Sequence, residues 1–184
     1  MSSIVVLSGS PSATSRTAAL AGLLSERLRG HGHDLRLIHV RDLPAQALLH
    51  ADFADPAIVD VTAAITAADG VVVASPVYKA AYTGLLKSLL DLLPQFALAG
   101  KTVLPVLTGG SPAHVLALDY ALRPVLSSLG AHHVVPGWFV LDKHIEVSAT
   151  GVVLHADSEK PLLSVVDTFA AVLDGAPATV PLAG

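Results

Sequence analysis

Val71-Val72-Val73-Ala74, running on into Ser75-Pro76-Val77-Tyr78, is the stretch on which the fold turns. Four consecutive apolar residues without polar alternation describe a strand buried on both faces, as in the centre of a parallel sheet covered by helices. On the N-terminal side, Ile4-Val5-Val6-Leu7 is a second β-branched run, ended by Ser8-Gly9-Ser10-Pro11, and Leu20, Leu23, Leu24 and Leu28 then form a helical stripe. Gly30-His31-Gly32 stops this helix, and Leu35-Arg36-Leu37-Ile38-His39-Val40 reads as the next strand. A stretch holding Leu43-Pro44 and Asp55-Pro56 leads to a helix through Ile65, closed by Asp69-Gly70. Beyond the central run the spacing predicts a helix over 83–93, a strand and turn over 101–109 and a helix over 113–129. A fifth strand over 132–139 and a closing helix over 162–173 follow.

Alternation of β and α throughout argues for a parallel sheet with helices on both faces, because right-handed crossovers leave few other topologies. Five strands suit the flavodoxin-like order 2-1-3-4-5 in an α/β three-layer sandwich. The 184 residues fit one domain, expected over 1–174, with a small, mobile tail over 175–184. In such sheets ligands bind beyond the carboxyl ends of the strands near the switch point, so the loops over 8–17, 75–82 and 108–112 matter most.

Composition narrows the function classes. The 52% apolar content is spread along the chain, and no apolar run approaches the ~20 residues a membrane span needs. Met1-Ser2-Ser3 lacks the basic start of a secretory signal, which favours a cytoplasmic location. The absence of cysteine removes disulfides, thiolate nucleophiles and thiolate metal sites, so redox chemistry needs a borrowed cofactor. A net charge of −4 with 4% aromatic residues gives neither an electrostatic footprint nor a stacking platform for nucleic acid. No serine sits in a G-x-S-x-G elbow, which leaves a hydrolase without support.

The first loop, residues 8–17, contains six hydroxyl side chains and one guanidinium. A helix N-terminus offers unpaired N–H groups and a positive dipole end, hydroxyls add donors, and arginine adds a charge-assisted pair. Ser10, Ser15, Arg16 and Thr17 are therefore candidates for holding a phosphate, while Ser15 or Thr14 equally suits an ordinary helix cap. The loop has neither the Walker Lys-Ser/Thr nor G-x-G-x-x-G, so a monophosphate such as that of FMN fits better than a nucleoside triphosphate or a wrapped dinucleotide. In the second loop Pro76 limits backbone freedom, and Ala80, Ala81 and Gly84 permit close approach of a flat ring beside Tyr78 or Tyr82. Backbone N–H and C=O groups of this loop suit the polar edge of such a ring. Thr108, Gly109 and Gly110 bring bare backbone to the same edge.

Gly9-Ser10-Pro11, Ser15-Arg16-Thr17, the segment 75–94, Thr108-Gly109-Gly110 with His114, and Asp119-Tyr120-Ala121-Leu122-Arg123-Pro124 closely resemble the NADPH-dependent FMN reductases. Within that family they are similar to the reductase component of two-component alkanesulfonate monooxygenase systems. The resemblance runs in register from Ile4 to about Gly137 and fades after Trp138. It implies that FMN is a dissociable substrate reduced by NADPH, with NADH possible, and that FMNH2 passes to a monooxygenase. It further implies phosphate contacts from Ser10, Ser15, Arg16 and Thr17, ring contacts from 76–79 and 108–110, and a homodimer or homotetramer. Where the family usually has arginine this chain has Ser12, which puts phosphate affinity or NADPH preference in question.

Leu116, Leu118, Leu122, Val125, Leu126 and Leu129 do not keep a 3.6-residue spacing, as if one residue were inserted near Tyr120. In the resembled branch a tyrosine here belongs to a π-bulge at a subunit interface near the flavin, and such bulges tend to mark functional sites. Tyr120 is thus a candidate for loosening the flavin, although Pro124 one turn on would itself disturb a helix. Among the nine histidines, His31 and His33 flank a turn and His132 and His133 point to opposite faces of a strand, so no metal constellation is expected. No catalytic acid or base stands out, which suits flavin chemistry. A quinone, azo-dye or metal-ion reductase with bound FMN, and a flavodoxin-like electron carrier, share the same loops.

Overall fold

In chain order the elements are β1 (Ser3–Ser8), α1 (Arg16–Gly30), β2 (Asp34–His39), α2 (Ala45–His50), α3 (Pro56–Ala67), β3 (Gly70–Tyr78), β4 (Ala81–Tyr82) and α4 (Gly84–Leu90). Then come β5 (Thr102–Gly109), α5 (Arg123–Ser128), β6 (His133–Val134), β7 (Trp138–Leu141), β8 (Ile145–Ser148), β9 (Gly151–Leu154) and α6 (Ala156–Leu173). This computed structural model describes residues 1–149 and 151–175. The expected tail from 176 onward lies outside the described residues. No described helix is long and apolar enough to cross a membrane.

The sheet runs β2-β1-β3-β5-β6, all parallel, with β7 continuing the β6 edge of β5 and β4 folded back antiparallel on β3. This is the flavodoxin-like order expected from the sequence, with the fifth position divided. Alternate side chains go to opposite faces. Val5, Leu7, Val71, Val73, Val103 and Leu107 meet Ile58 and Ile65 of α3 and Leu86 and Leu89 of α4. On the other face Ile4, Val6, Val72, Leu104 and Val106 meet Leu20 and Leu24 of α1 and Leu162, Val166 and Phe169 of α6. Each such aliphatic side chain contributes roughly 1.5–3 kcal/mol by leaving water.

The sequence expectations need four corrections. The strand expected over 132–139 is two short strands, parted at Pro136-Gly137. Pro136 has no N–H for the ladder, and Gly137 passes so close over the Pro105 carbonyl that no Cβ would fit. The helix expected over 113–129 breaks into a 3₁₀ turn (Pro112–His114), a π-helical segment (Leu118–Leu122) and α5. Arg123 N–H donates to Leu118 O, five residues back, while Pro124 has no N–H to offer the preceding turn. The last helix starts at Ala156, with His155 as its N-cap, and not at 162: Asp157, Ser158, Glu159 and Lys160 carry no apolar stripe to announce its first turn in the sequence. The helix expected over 83–93 is shorter: Thr83 is the N-cap of α4, its hydroxyl accepting from Leu86 N–H at 3.2 Å. The hairpin β8–β9 was not anticipated at all.

Candidate functional site

The carboxyl ends of β1 and β3 open into a polar cleft of about 930 Å³. Ser10, Thr14, Ser15, Arg16 and Thr17 form one wall, Pro76 and Tyr78 the floor, and the segment from Asp142 to Val147 the other wall. Six of the residues singled out from sequence (Ser10, Ser15, Arg16, Thr17, Pro76 and Tyr78) therefore meet in one place.

The wall over 10–17 is built by the start of α1. Ser15 caps the helix, its hydroxyl accepting from Ala18 N–H at 2.9 Å, and Ala19 N–H donates to the Ser15 carbonyl at 3.1 Å. The N–H groups of Arg16 and Thr17 come before the first intrahelical donor, Ala19, and remain for a ligand. Ser10 is fully buried, its hydroxyl lying 3.4 Å from both the N–H and the carbonyl of Ser12. Arg16 is exposed; its Nε donates to Ile145 O at 3.1 Å, which pins the far wall and leaves the terminal nitrogens of the guanidinium to face solvent. Thr17 Oγ1 lies 2.6 Å from Thr108 Oγ1 beneath the cleft, both residues buried. Beside Ser12, Arg41 supplies a cation from the end of β2: its Nη1 donates to the Ser12 carbonyl at 3.4 Å.

The loop after β3 is a tight hairpin. Val77 and Tyr78 pair with Ala81 and Tyr82, and the two turn residues, Lys79 (φ 51°) and Ala80 (φ 63°), both occupy the left-handed region. Two adjacent non-glycine residues there form the turn that suits strand twist, at a cost of about 1–3 kcal/mol each. Such strain persists where the surroundings impose it, and here it projects Tyr78 and Lys79 past the end of the central strand. Tyr78 is 54% exposed, a bare aromatic face at the cleft floor, whereas the Val77 side chain is buried in the core. Burial holds the Tyr82 phenol above its usual range, so it stays protonated.

The loops are braced to one another. Gly9 N–H donates to Ala74 O at 2.8 Å, and Thr83 Oγ1 donates to Gly9 O at 2.6 Å. Thr83 N–H donates to Ser75 Oγ at 3.1 Å. A Cβ on Gly9 would sit 2.7 Å from Leu86 Cβ, so only glycine lets the first loop close on α4. Gly109 packs beneath Phe139, while Gly110 is exposed with Asp142 Oδ2 3.9 Å from its Cβ position. Thr108, Gly109 and Gly110 thus lie under or beside the cleft without lining it. The Nδ1 of His114 is buried and has no partner among the described residues.

Sequence reasoning missed Asp142, Lys143, Ile145, Glu146 and Val147. The alternation Ile145-Glu146-Val147-Ser148, with Gly151-Val152-Val153-Leu154 after it, is the hairpin signal that was available. These residues give the far wall one cation and two carboxylates, which concentrates positive potential on the Arg16 side. Tyr120 is 78% exposed within the π segment, and that segment packs against β4 of the hairpin after β3.

The site's donor set fits a flavin mononucleotide. A helix N-terminus with two open N–H groups, a guanidinium and a buried serine suits a phosphate, and an exposed tyrosine beside strained backbone suits a flat ring. A model of the family described as NADPH-dependent FMN reductase matches residues 2–146. Over 142 residues the chain is 47% identical to FMN reductase (NADPH) of Pseudomonas putida, covering 77% of this chain and 72% of that protein. It is 46% identical over 142 residues to FMN reductase (NADPH) of Escherichia coli K12, covering 77% and 74%. The solved apo form of the NADH:FMN oxidoreductase EMOB matches with a TM-score of 0.87 at 47% identity, over 97% of this chain and 94% of that one.

Proposed function

This chain belongs to the NADPH-dependent FMN reductase family, and from that membership we propose that it reduces freely exchanging FMN and passes FMNH2 to a monooxygenase that acts on sulfonates. The chain is an oxidoreductase that uses NAD(P)H and FMN. FMN supplies the redox chemistry, accepting hydride from the reduced nicotinamide. The protein's work is placement. Ser10, Arg16 and the first N–H groups of α1 hold the phosphate, with Ser15 and Thr17 setting the helix start. The backbone of 76–79 and the face of Tyr78 hold the ring, with Thr108, Gly109 and Gly110 shaping the edge beneath.

The observation that carries exchange, as opposed to permanent binding, is the π segment seated on β4. An irregular helical turn with an exposed Tyr120 abuts the hairpin that bears the ring contacts, so the ring platform rests on an element with weak helical restraint. The exposed Tyr120, with Leu116 just before the segment, also gives this region an apolar surface that supports a subunit contact in a homodimer or homotetramer. The partner monooxygenase rests on the motif resemblance alone.

The test follows NADPH oxidation by flavin-stripped enzyme while free FMN is varied under air. Saturation with FMN in large excess over enzyme supports the diffusible-flavin reductase. A rate that levels at one FMN per chain and then requires a quinone or dye overturns it in favour of a reductase that keeps its flavin. Adding a purified sulfonate monooxygenase with its substrate then tests the hand-over: sulfite release dependent on both proteins is expected, and none overturns the partner assignment.

A further inference from the structure

We propose that His144, His155 and Asp157 form a binding site for a divalent transition-metal ion of zinc type, on the outer side of the cleft wall. The ligand atoms of the three side chains all lie within 4.8 Å of one another. His155 Nδ1 stands 3.4 Å from Asp157 Oδ2, and two ligands about 2.0 Å from a tetrahedral ion stand about 3.3 Å apart. That pair is therefore already at chelating distance, and closing the third ligand requires a shift of about 1.5 Å. The two imidazole rings are stacked, 4.8 Å between centroids and 26° between planes.

The surroundings carry the second half of the argument. His144 Nδ1 lies 2.8 Å from Ser158 Oγ, and Ser158 is buried at 5% exposure. This contact anchors the His144 ring from behind, and in the tautomer whose Nδ1–H donates to the hydroxyl, Nε2 carries the free lone pair, the arrangement that ligating histidines commonly show. His155 is the N-cap of α6, its Nδ1 accepting a long 3.3 Å bond from Asp157 N–H that an incoming ion replaces. Two imidazoles and one carboxylate, with the remaining position open to water, suit zinc and its neighbours better than calcium or magnesium. The hairpin β8–β9 creates the site: His155 N–H donates to His144 O at 2.9 Å, drawing together the two residues that flank the hairpin.

The ion would link two elements of different kind. His144 directly precedes Ile145, whose carbonyl holds Arg16 Nε, and directly follows the cleft residues Asp142 and Lys143. Metal at this site thus ties the far wall of the cleft to the N-terminus of α6.

The test is isothermal titration of Zn²⁺ into full-length, flavin-free protein and its variants, with circular dichroism to confirm folding. One saturable ion per chain is expected. His155→Asn, which keeps a capping side chain, and Asp157→Asn should each weaken that ion at least tenfold, and Ser158→Ala about tenfold. The surface variant His132→Ala should leave it unchanged. No saturable ion, or equal affinity in wild type, His155→Asn and Asp157→Asn, overturns the proposal.

Discussion

Thr17 Oγ1 and Thr108 Oγ1 meet at 2.6 Å in the buried seam between the start of α1 and the end of β5. This bond sets the height of the helix N-terminus above the sheet, and so the position of the N–H groups that face the cleft. Replacing one partner leaves the other hydroxyl buried and unpaired, whereas replacing both removes the debt. Thr17→Val or Thr108→Val alone should lower stability by about 1–3 kcal/mol, and the double variant should recover most of that loss. Urea unfolding of the four flavin-free proteins measures the cycle; additive losses would mean the pair is not coupled.

Arg16 has two duties that a pair of ligands can separate. Its Nε holds the Ile145 carbonyl, and the residue lines the cleft with its terminal nitrogens open to solvent. Arg16→Ala should weaken FMN by about tenfold or more, the scale of a hydrogen bond to a charged group. Riboflavin, which lacks the phosphate, should bind the variant and the parent alike. Fluorescence titration with both flavins reads the difference; an equal loss for both would assign Arg16 to the wall and not to phosphate.

How much of this was legible in sequence depends on what kind of signal each element leaves. The apolar runs 4–7, 71–74 and 103–107 have no other stable home than a sheet buried on both faces, and the loops after them follow from topology. The break near Tyr120 was visible as a fault in leucine spacing. The far wall of the cleft was not, because β8 and β9 are four residues each, mostly exposed, and outside the matched motifs. The split of the fifth strand was equally hidden, since the clash of Gly137 with the Pro105 carbonyl exists only once both strands are in register. Thr83 read as the start of a helix, yet its bond to Gly9 O crosses from one loop to another and no local pattern encodes it.

Gly109 is needed for close packing and not for a special backbone conformation. A Cβ there would lie 2.9 Å from Phe139 Cζ and 3.6 Å from Val77 Cβ. Gly109→Ala should cost roughly 1–3 kcal/mol by overpacking. Phe139→Leu in the same chain should restore most of it, which thermal unfolding of single and double variants checks. Failure of the second change to rescue would place the strain in the backbone of β5 instead.

Asp167 joins α6 to the end of α1. Arg27 donates to both carboxylate oxygens at 3.0 and 2.8 Å, and His31 Nε2 lies 2.9 Å away. The bond from Arg27 holds the Asp167 carboxyl below its usual range, burial opposing and His31 assisting. A depressed folded-state value means that the unfolded chain binds the proton first. The stabilisation is therefore complete above the ordinary carboxylate value, near ~4, and fades as pH falls through the lower folded value. Both side chains are more than a third exposed, so solvent screening limits the effect to about 0.5–1 kcal/mol. Urea midpoints of Asp167→Asn should fall below the parent at pH 6, converge with it below about pH 4, and converge also in high salt.

Tyr120 can be tested without disturbing the turn that carries it. Arg123 N–H still reaches Leu118 O and Pro124 still lacks an N–H in Tyr120→Ala, so the π segment should persist. With the side chain 78% exposed, stability should change by no more than about 0.5 kcal/mol. If the ring helps to keep the flavin platform loose, FMN dissociation followed by stopped-flow fluorescence should slow several-fold, and turnover with excess free FMN should fall in proportion. Unchanged dissociation with unchanged turnover would confine Tyr120 to the surface. Slower turnover at unchanged dissociation would place its action before release, at the encounter with NAD(P)H. The three outcomes separate a release element from a mere packing aromatic, because only the first couples the two rates.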